Sequence, residues 1–131
     1  MLRRLLFVAA VLLLPLGGCA IADALTKPLP SATGTTSEGD VYALREGYQV
    51  VLKAMDPYVN LRRCGAPTSP KLCSQQKVAD QLVLADRAAK TALDNAENLV
   101  RNAPEVSGVS AYSAAKAAIS TVKEILAVYA N

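Results

Sequence analysis

Carboxylates and cysteines are the residue types of this chain that could carry chemistry, and it has 11 Asp and Glu and three Cys. Paired carboxylates are able to act as general acid and base, and the four that lie close together in sequence are Asp80, Asp86, Asp94 and Glu97. Arg101 follows Glu97 by four residues, which makes the two side chains neighbours on a helix. Lys90 precedes Asp94 by the same spacing. The pattern predicts solvated ion pairs, not a catalytic pair.

The chain has no His in its 131 residues, so it lacks the commonest acid and base at neutral pH and the commonest metal ligand. Nucleophile systems that depend on His are excluded as well. We therefore expect no catalytic residues, no cofactor and no metal site, and we expect the chain to form a single domain.

The first 18 residues have the three parts of an export signal. Arg3 and Arg4 precede an apolar stretch over 5–16, and two glycines follow it directly. This stretch is too short to cross a bilayer as a helix, which needs about 20 residues, and Pro15 interrupts it. We expect a cleaved signal over 1–18 and no permanent transmembrane helix.

The string Leu16-Gly17-Gly18-Cys19 at the end of this signal resembles the lipobox of bacterial lipoproteins. In that class a Leu stands three residues before the Cys and a Gly or Ala directly before it. The resemblance implies that the signal is cut before Cys19, that the Cys19 thiol receives a diacylglycerol, and that the new amino terminus is acylated. Such a protein is anchored stably, because each buried CH₂ of its acyl chains contributes about 0.8 kcal/mol.

The residue after Cys19 bears on the location that the resemblance implies. In Gram-negative lipoproteins an Asp at this position retains the protein in the inner membrane, whereas this chain has Ala20. The class therefore favours the periplasmic face of the outer membrane in a cell that has one. The alternative is an ordinary secretory signal that is cleaved after Ala20 or Ala22 and leaves Cys19 without a role.

Cys64 and Cys73 remain once Cys19 is assigned to lipid. In an exported chain an even number of remaining cysteines predicts a disulfide. We expect this bond at the first connection between helices, with Cys64 at the end of one helix and Cys73 in the first turn of the next. A redox or metal-binding pair is the alternative, but eight residues separate the two cysteines and no His is present.

Composition divides the rest of the chain into a linker and a helical body. Residues 19–39 are rich in Pro, Thr, Ser and Gly from Thr26 onward, which predicts a flexible tether. From residue 40 the apolar side chains recur every three or four residues, which predicts helices over about 40–63, 70–102 and 109–130. We expect an all-α domain over 40–131, an antiparallel up-down-up three-helix bundle.

Local signals mark the helix boundaries. Asp40 or Ser37 caps the first helix, Ser69-Pro70 starts the second, and Ser107 or Ser110 caps the third. Pro57 predicts either a bend near Met55 or a cap followed by a new start. Four consecutive core positions of the second helix are predicted to be alanines, Ala85, Ala89, Ala92 and Ala96. Such small side chains allow close packing and disfavour an internal cavity.

The aromatic and basic side chains are expected to have structural roles. Tyr48, Tyr58 and Tyr112 are predicted to be half-buried with hydroxyls in water, and not to form a ligand site. Arg62 and Arg63 are the densest basic spot, and solvation of a helix end is their expected role. Anionic lipid headgroups and an acidic patch of a partner are the alternatives. A formal net charge of +3 is too low to predict a nucleic-acid-binding surface.

Together these features predict a lipid-anchored envelope protein that acts by binding and not by catalysis. Its partners would be the membrane, through the lipid, and an envelope protein, in an interaction or structural role. The alternative is a binding module that holds a small apolar ligand between helices. A filled core favours the first hypothesis, and an apolar cavity above about 300 Å³ favours the second.

Overall fold

The computed structural model describes residues 25–32, 35–65, 73–103 and 108–129. Three helices form the body: α1 is Glu38–Asn60, α2 is Gln76–Asn102 and α3 is Val109–Tyr129. These described segments contain no strand, only one isolated bridge between Arg63 and Ser74. The predicted all-α class is therefore confirmed, and the three helices pack against one another. The signal peptide and Cys19 lie outside the described residues.

A reciprocal capping arrangement starts α1. Ser37 Oγ accepts a hydrogen bond from the amide of Asp40 at 3.2 Å, and a carboxylate oxygen of Asp40 accepts one from the amide of Ser37 at 2.8 Å. Two amides that the helix leaves without partners are satisfied in this way, and hydrogen bonds from the backbone and hydroxyl of Ser37 lower the pKa of Asp40. The predicted cap at Ser37 is confirmed. The helix continues through Pro57, so it is not capped and restarted there.

The start of α2 differs from the prediction. Ser69-Pro70 lies outside the described residues, and α2 begins only at Gln76. Before it, the amide of Ser74 donates to the carbonyl of Arg62 at 2.9 Å, and the amide of Cys64 donates to the carbonyl of Ser74 at 3.0 Å. Because these bonds hold the Ser74 backbone outside a helix, Cys73 precedes α2 and is not in its first turn.

The lengths of α2 and α3 and the start of α3 follow from the observed helix bounds. With 27 residues α2 is about 40 Å long, and α3 with 21 residues is about 32 Å long. The predicted ranges 70–102 and 109–130 make the second helix longer than the third by about 17 Å, whereas the observed difference is about 9 Å. Ser110 lies inside α3 and is not its cap, because the amide of Tyr112 already donates to the carbonyl of Gly108. Ser107 lies outside the described residues.

The core is filled by apolar side chains from all three helices. Its largest fully buried members are Leu44, Tyr48, Val51, Leu82, Leu93, Ile119, Val122 and Leu126. On α2 the inward positions run through Asp86 and Leu93, whereas the prediction placed them at Ala85 and Ala92, which are only partly buried. The helical period allows a step of three or four residues after Leu82. The step is four here, because the polar Asp86 finds a partner inside.

Candidate functional site

Residues 25–32, which we call the strap, lie against the bundle. Three hydrogen bonds to α3 hold them: the Tyr112 hydroxyl donates to the carbonyl of Pro30 at 2.8 Å, Lys123 Nζ donates to the carbonyl of Lys27 at 2.7 Å, and Lys116 Nζ donates to Ser31 Oγ at 2.6 Å. The strap side chains that pack on the core are Leu25, Leu29 and Ala32. This part of the chain is therefore docked and is not the free tether that composition predicts.

Local chemistry explains why the strap is ordered. Pro28 and Pro30 fix two backbone φ angles before folding, which lowers the entropy cost of docking. On the α1 side the strap runs close to Gly47, where an added Cβ would stand 3.4 Å from Leu29 Cδ2. Tyr112 is buried, and both burial and the Asp40 carboxylate raise its pKa. The prediction of a Tyr112 hydroxyl in water is therefore wrong.

The predicted disulfide is present between Cys64 and Cys73, whose Cα atoms are 5.1 Å apart. Beside it, Arg63 binds both sides of the connection. Its Nη1 donates to the carbonyls of Val59 at 3.0 Å and Leu61 at 3.3 Å and to the Ser74 hydroxyl. Carbonyls at the end of a helix carry partial negative charge, so a guanidinium is favourable here.

Further bonds join the ends of α1 and α2 at this place. Arg63 Nε donates to Gln76 Oε1 at 2.8 Å, and the amide of Gln75 donates to the Tyr58 hydroxyl at 3.3 Å. Ser74 is fully buried between these groups. Arg63 therefore has a structural role at the disulfide, whereas its neighbour Arg62 is exposed.

A buried polar pair, which the sequence analysis did not find, connects α1 to α2. The Tyr48 hydroxyl donates to a carboxylate oxygen of Asp86, and the other carboxylate oxygen accepts from Lys90 Nζ at 2.8 Å. Tyr48 is 2% exposed and Asp86 is 9% exposed. The prediction that Asp86 is solvated and that the Tyr48 hydroxyl is in water is wrong, because each group satisfies the other in the core.

The surroundings of this pair keep the Tyr48 hydroxyl protonated. Burial first, and then the hydrogen bond and charge of Asp86, raise the pKa of Tyr48. The two carboxylate oxygens of Asp86 accept hydrogen bonds from different helices, one from Tyr48 on α1 and one from Lys90 on α2. The pair therefore joins α1 to α2 through a buried carboxylate.

Two of the other predicted carboxylates, Asp94 and Glu97, join a network of ion pairs across α1 and α2, whereas Asp80 accepts a hydrogen bond from the side-chain amide of Gln76 at 2.8 Å. Arg45 contacts Asp94 at 2.8 Å and Glu97 at 2.6 Å. Arg101 contacts Glu97 at 2.6 Å, as its spacing predicts, and Glu38 at 2.9 Å. The hydrogen bond from Arg45 to Asp94 raises the pKa of this guanidinium. Lys90 pairs with Asp86 and not with Asp94.

The strap and α1 border a groove of about 540 Å³. Its apolar lining includes Pro28, Leu29 and Val50, and Tyr42, which is 66% exposed, stands at its edge. The volume exceeds the 300 Å³ expected of a ligand site, but the groove lies on the surface beside a filled core and not between the helices.

The described residues offer neither a metal site nor a membrane span. No group of three or more His, Cys, Asp or Glu within them is arranged to hold a metal ion. Over residues 25–32, 35–65, 73–103 and 108–129, no helix combines the length and the hydropathy that a membrane span needs.

Comparison with known proteins gives no relatives: no family model, no curated protein and no solved structure matches this chain.

Proposed function

We propose that this chain is a small lipoprotein of a bacterial cell envelope, anchored through lipid on Cys19, which acts by contact with another envelope protein. The lipobox-like string and the complete signal before it support the anchor.

We also propose the antiparallel up-down-up arrangement of the three helices. The ion pair between Glu38 and Arg101 joins the first turn of α1 to the last turn of α2. Near the other end of α1, the Tyr58 hydroxyl contacts Gln75, just before α2. An added Cβ at Gly108, before α3, would stand 3.1 Å from Val100 Cγ2 and 3.4 Å from Thr36 Cβ. These contacts support α3 starting beside the end of α2.

One observation supports action by protein contact: the charged side chains considered above bond within the fold, while apolar side chains are exposed on the surface beside the strap. Asp86 bonds to Tyr48, Glu97 to Arg45 and Arg63 to Gln76, in each case on another helix or across the connection. In contrast, Tyr42 and Val50 are exposed at the edge of the groove. Exposed aromatic and aliphatic side chains around a groove are typical of a surface that binds a protein segment.

The anchor is tested by fractionation of cells that express the full chain. The Cys19→Ser variant should leave the membrane fraction or remain uncleaved, whereas a Cys64→Ser control should stay in the membrane fraction. Unchanged fractionation of Cys19→Ser would contradict the anchor.

The contact is tested by in-cell crosslinking with a photoreactive amino acid at Tyr42 or Val50. The matched control is Leu84, which is 64% exposed on α2 and away from the groove. We expect one envelope protein to be captured from both groove positions and not from Leu84. Capture from all three positions alike, or from none, would contradict a specific contact.

The alternative function is binding of a small apolar ligand, and the apolar lining of the groove favours it as second candidate. Its volume falls within the range of about 300–1,000 Å³ that ligand sites have. A fluorescent apolar dye distinguishes the two functions. Saturable dye binding that is lost in Val50→Glu, without capture at Tyr42, would favour the ligand.

A further inference from the structure

The place where the strap begins limits how the bundle can stand on a membrane. Lys27 is bonded to Lys123, and Leu25 lies in one groove with Glu124 and Ala127, close to the end of α3. Leu25 is six residues after Cys19. Even a fully extended chain covers only about 3.3–3.6 Å per residue, so the acylated residue lies within about 22 Å of the Leu25 Cα.

The two ends of α3 lie at different distances from this attachment. From Lys123, which binds the strap carbonyl of Lys27, the start of α3 at Val109 is about 21 Å away along the helix axis and the end at Tyr129 about 9 Å. The Val109 end is therefore reached only by a chain extended close to its limit, and the end of α3 is the nearer end for an anchor on Cys19.

The disulfide lies at this same end. Gly108, before α3, adjoins Thr36 and Val100, which belong to the opposite end of α1 and α2. In the proposed antiparallel arrangement α3 then runs toward the connection that Cys64 and Cys73 close.

The two ends of the bundle carry different charges. The disulfide end and the strap beside it present exposed cations, Lys27, Lys53, Arg62 and Lys77. Among the described residues of the far end carboxylates outnumber cations: Glu38, Asp40, Glu46, Asp94 and Glu97 stand against Arg45 and Arg101, which are engaged among them, and Lys116, which donates to Ser31. Cations close to a bilayer are attracted to anionic phospholipid, and carboxylates are repelled.

Some carboxylates also lie toward the disulfide end, but they are fewer than the cations there. Asp56 and Asp80 accept hydrogen bonds from the side-chain amides of Asn60 at 3.0 Å and Gln76 at 2.8 Å. Glu124 borders the same groove as Leu25. The balance at this end stays positive, because Arg63 and Lys123 add to its exposed cations.

Resting on the proposed lipid anchor, we propose that the disulfide end of the bundle faces the bilayer and that Lys53, Arg62 and Lys77 contact anionic phospholipid headgroups. The far end, with the ion-pair network, then points away from the membrane. The lipid anchor and the cations both favour the orientation in which the disulfide end faces the bilayer.

The absence of Trp from the chain makes a direct test possible, because a single introduced Trp is the only indole in the protein. Val128→Trp places the indole near the end of α3, at the disulfide end of the bundle. The matched control Tyr42→Trp places it near the start of α1, at the far end of the bundle. Both positions are well exposed, so neither change disturbs the core. Circular dichroism verifies the helix content of each variant.

Each acylated full-length variant is reconstituted in vesicles of phosphatidylcholine and phosphatidylglycerol that carry a nitroxide on the phospholipid headgroup. We expect the indole emission to be lost in Val128→Trp and retained in Tyr42→Trp. The loss should weaken in vesicles of phosphatidylcholine alone and at about 1 M salt, where charges are screened within about 3 Å. Adding Arg62→Glu and Lys77→Glu to the Val128→Trp chain should weaken it similarly in anionic vesicles.

The outcomes separate this inference from the proposed function. Equal quenching in the two variants, stronger quenching in Tyr42→Trp, or no quenching in a protein whose mass shows acyl chains would overturn the orientation and leave the anchor intact. Quenching in Val128→Trp that ignores lipid charge and salt would overturn the headgroup contact. A mass without acyl chains would overturn the anchor and this inference together.

Discussion

Replacing Tyr48 by Phe removes one hydroxyl from the contact between α1 and α2 and keeps the ring in place. The change leaves the buried Asp86 carboxylate with Lys90 but without its donor from α1. A hydrogen bond to a charged group in the interior contributes about 1.5–3 kcal/mol, and an acceptor left without its partner adds a desolvation penalty. We expect Tyr48→Phe to lower the free energy of unfolding by about 2 kcal/mol.

A double-mutant cycle isolates this interaction. Asp86→Leu removes the carboxylate and leaves the Tyr48 hydroxyl with the carbonyl of residue 86, which lies 3.2 Å away. The double variant Tyr48→Phe, Asp86→Leu removes both polar groups, so its loss should be smaller than the sum of the two single losses. We expect a coupling energy of about 1–2 kcal/mol. Asp94→Asn, at a well-exposed ion pair, should cost less than about 1 kcal/mol.

Urea unfolding of the oxidised proteins, followed by the circular dichroism of the helices, measures the free energy of unfolding of the two single variants, the double variant and Asp94→Asn. A loss of about 2 kcal/mol corresponds to a decrease in Tm of roughly 8–16 °C for a domain of this size. The reasoning fails if Tyr48→Phe stays within about 0.5 kcal/mol of the parent, or if the effects of the two single changes simply add.

Three further predictions concern the disulfide, the helix cap and the strap. Cys64→Ser should lower the free energy of unfolding by roughly 2–3 kcal/mol, since the bond closes a short loop; reductant should lower the stability of the parent protein equally, and a parent unaffected by reductant would contradict this. Ser37→Ala should lower the Tm by a few degrees near neutral pH. Asp40→Ala carries the pH test: because the folded state lowers the Asp40 pKa, the contribution of this carboxylate is present above the ordinary value of 3.8 and lost as pH falls through the folded pKa, so thermal melts of the parent and Asp40→Ala should converge in acid; a constant difference would contradict the capping role of the carboxylate. Leu29→Asp should release the strap and speed amide hydrogen exchange over 27–32 while core amides of α2 keep their protection, and unchanged exchange in the strap would show that Leu29 does not hold it.

The helical class and the disulfide could be predicted because each depends on a strong local signal. Apolar residues at helical spacing, such as Leu44, Tyr48 and Val51, face inward whatever the partner helix is. The cysteine pair was predictable from the sequence, because a signal-like start predicts export and two cysteines remain once the lipobox-like string takes the third. Neither prediction requires knowledge of a contact between distant residues.

The remaining features depend on such distant contacts. Asp86 is buried only because Tyr48, 38 residues earlier, supplies a donor. The strap is held by Lys123 and Tyr112, at the other end of the sequence, which bind its carbonyls. The start of α2 at Gln76 likewise reflects the pairing of Ser74 with Arg62. Composition and periodicity record none of these pairings, so a polar residue was assigned to the surface and a Pro-rich segment to a linker.

Intact mass spectrometry of the protein purified from membranes tests the central claim most directly. The proposed anchor predicts a chain that begins at Cys19 and carries the added mass of a diacylglycerol and an amide-linked acyl chain. A free thiol on residue 19, or a mature chain that begins after Ala20 or Ala22, would contradict it.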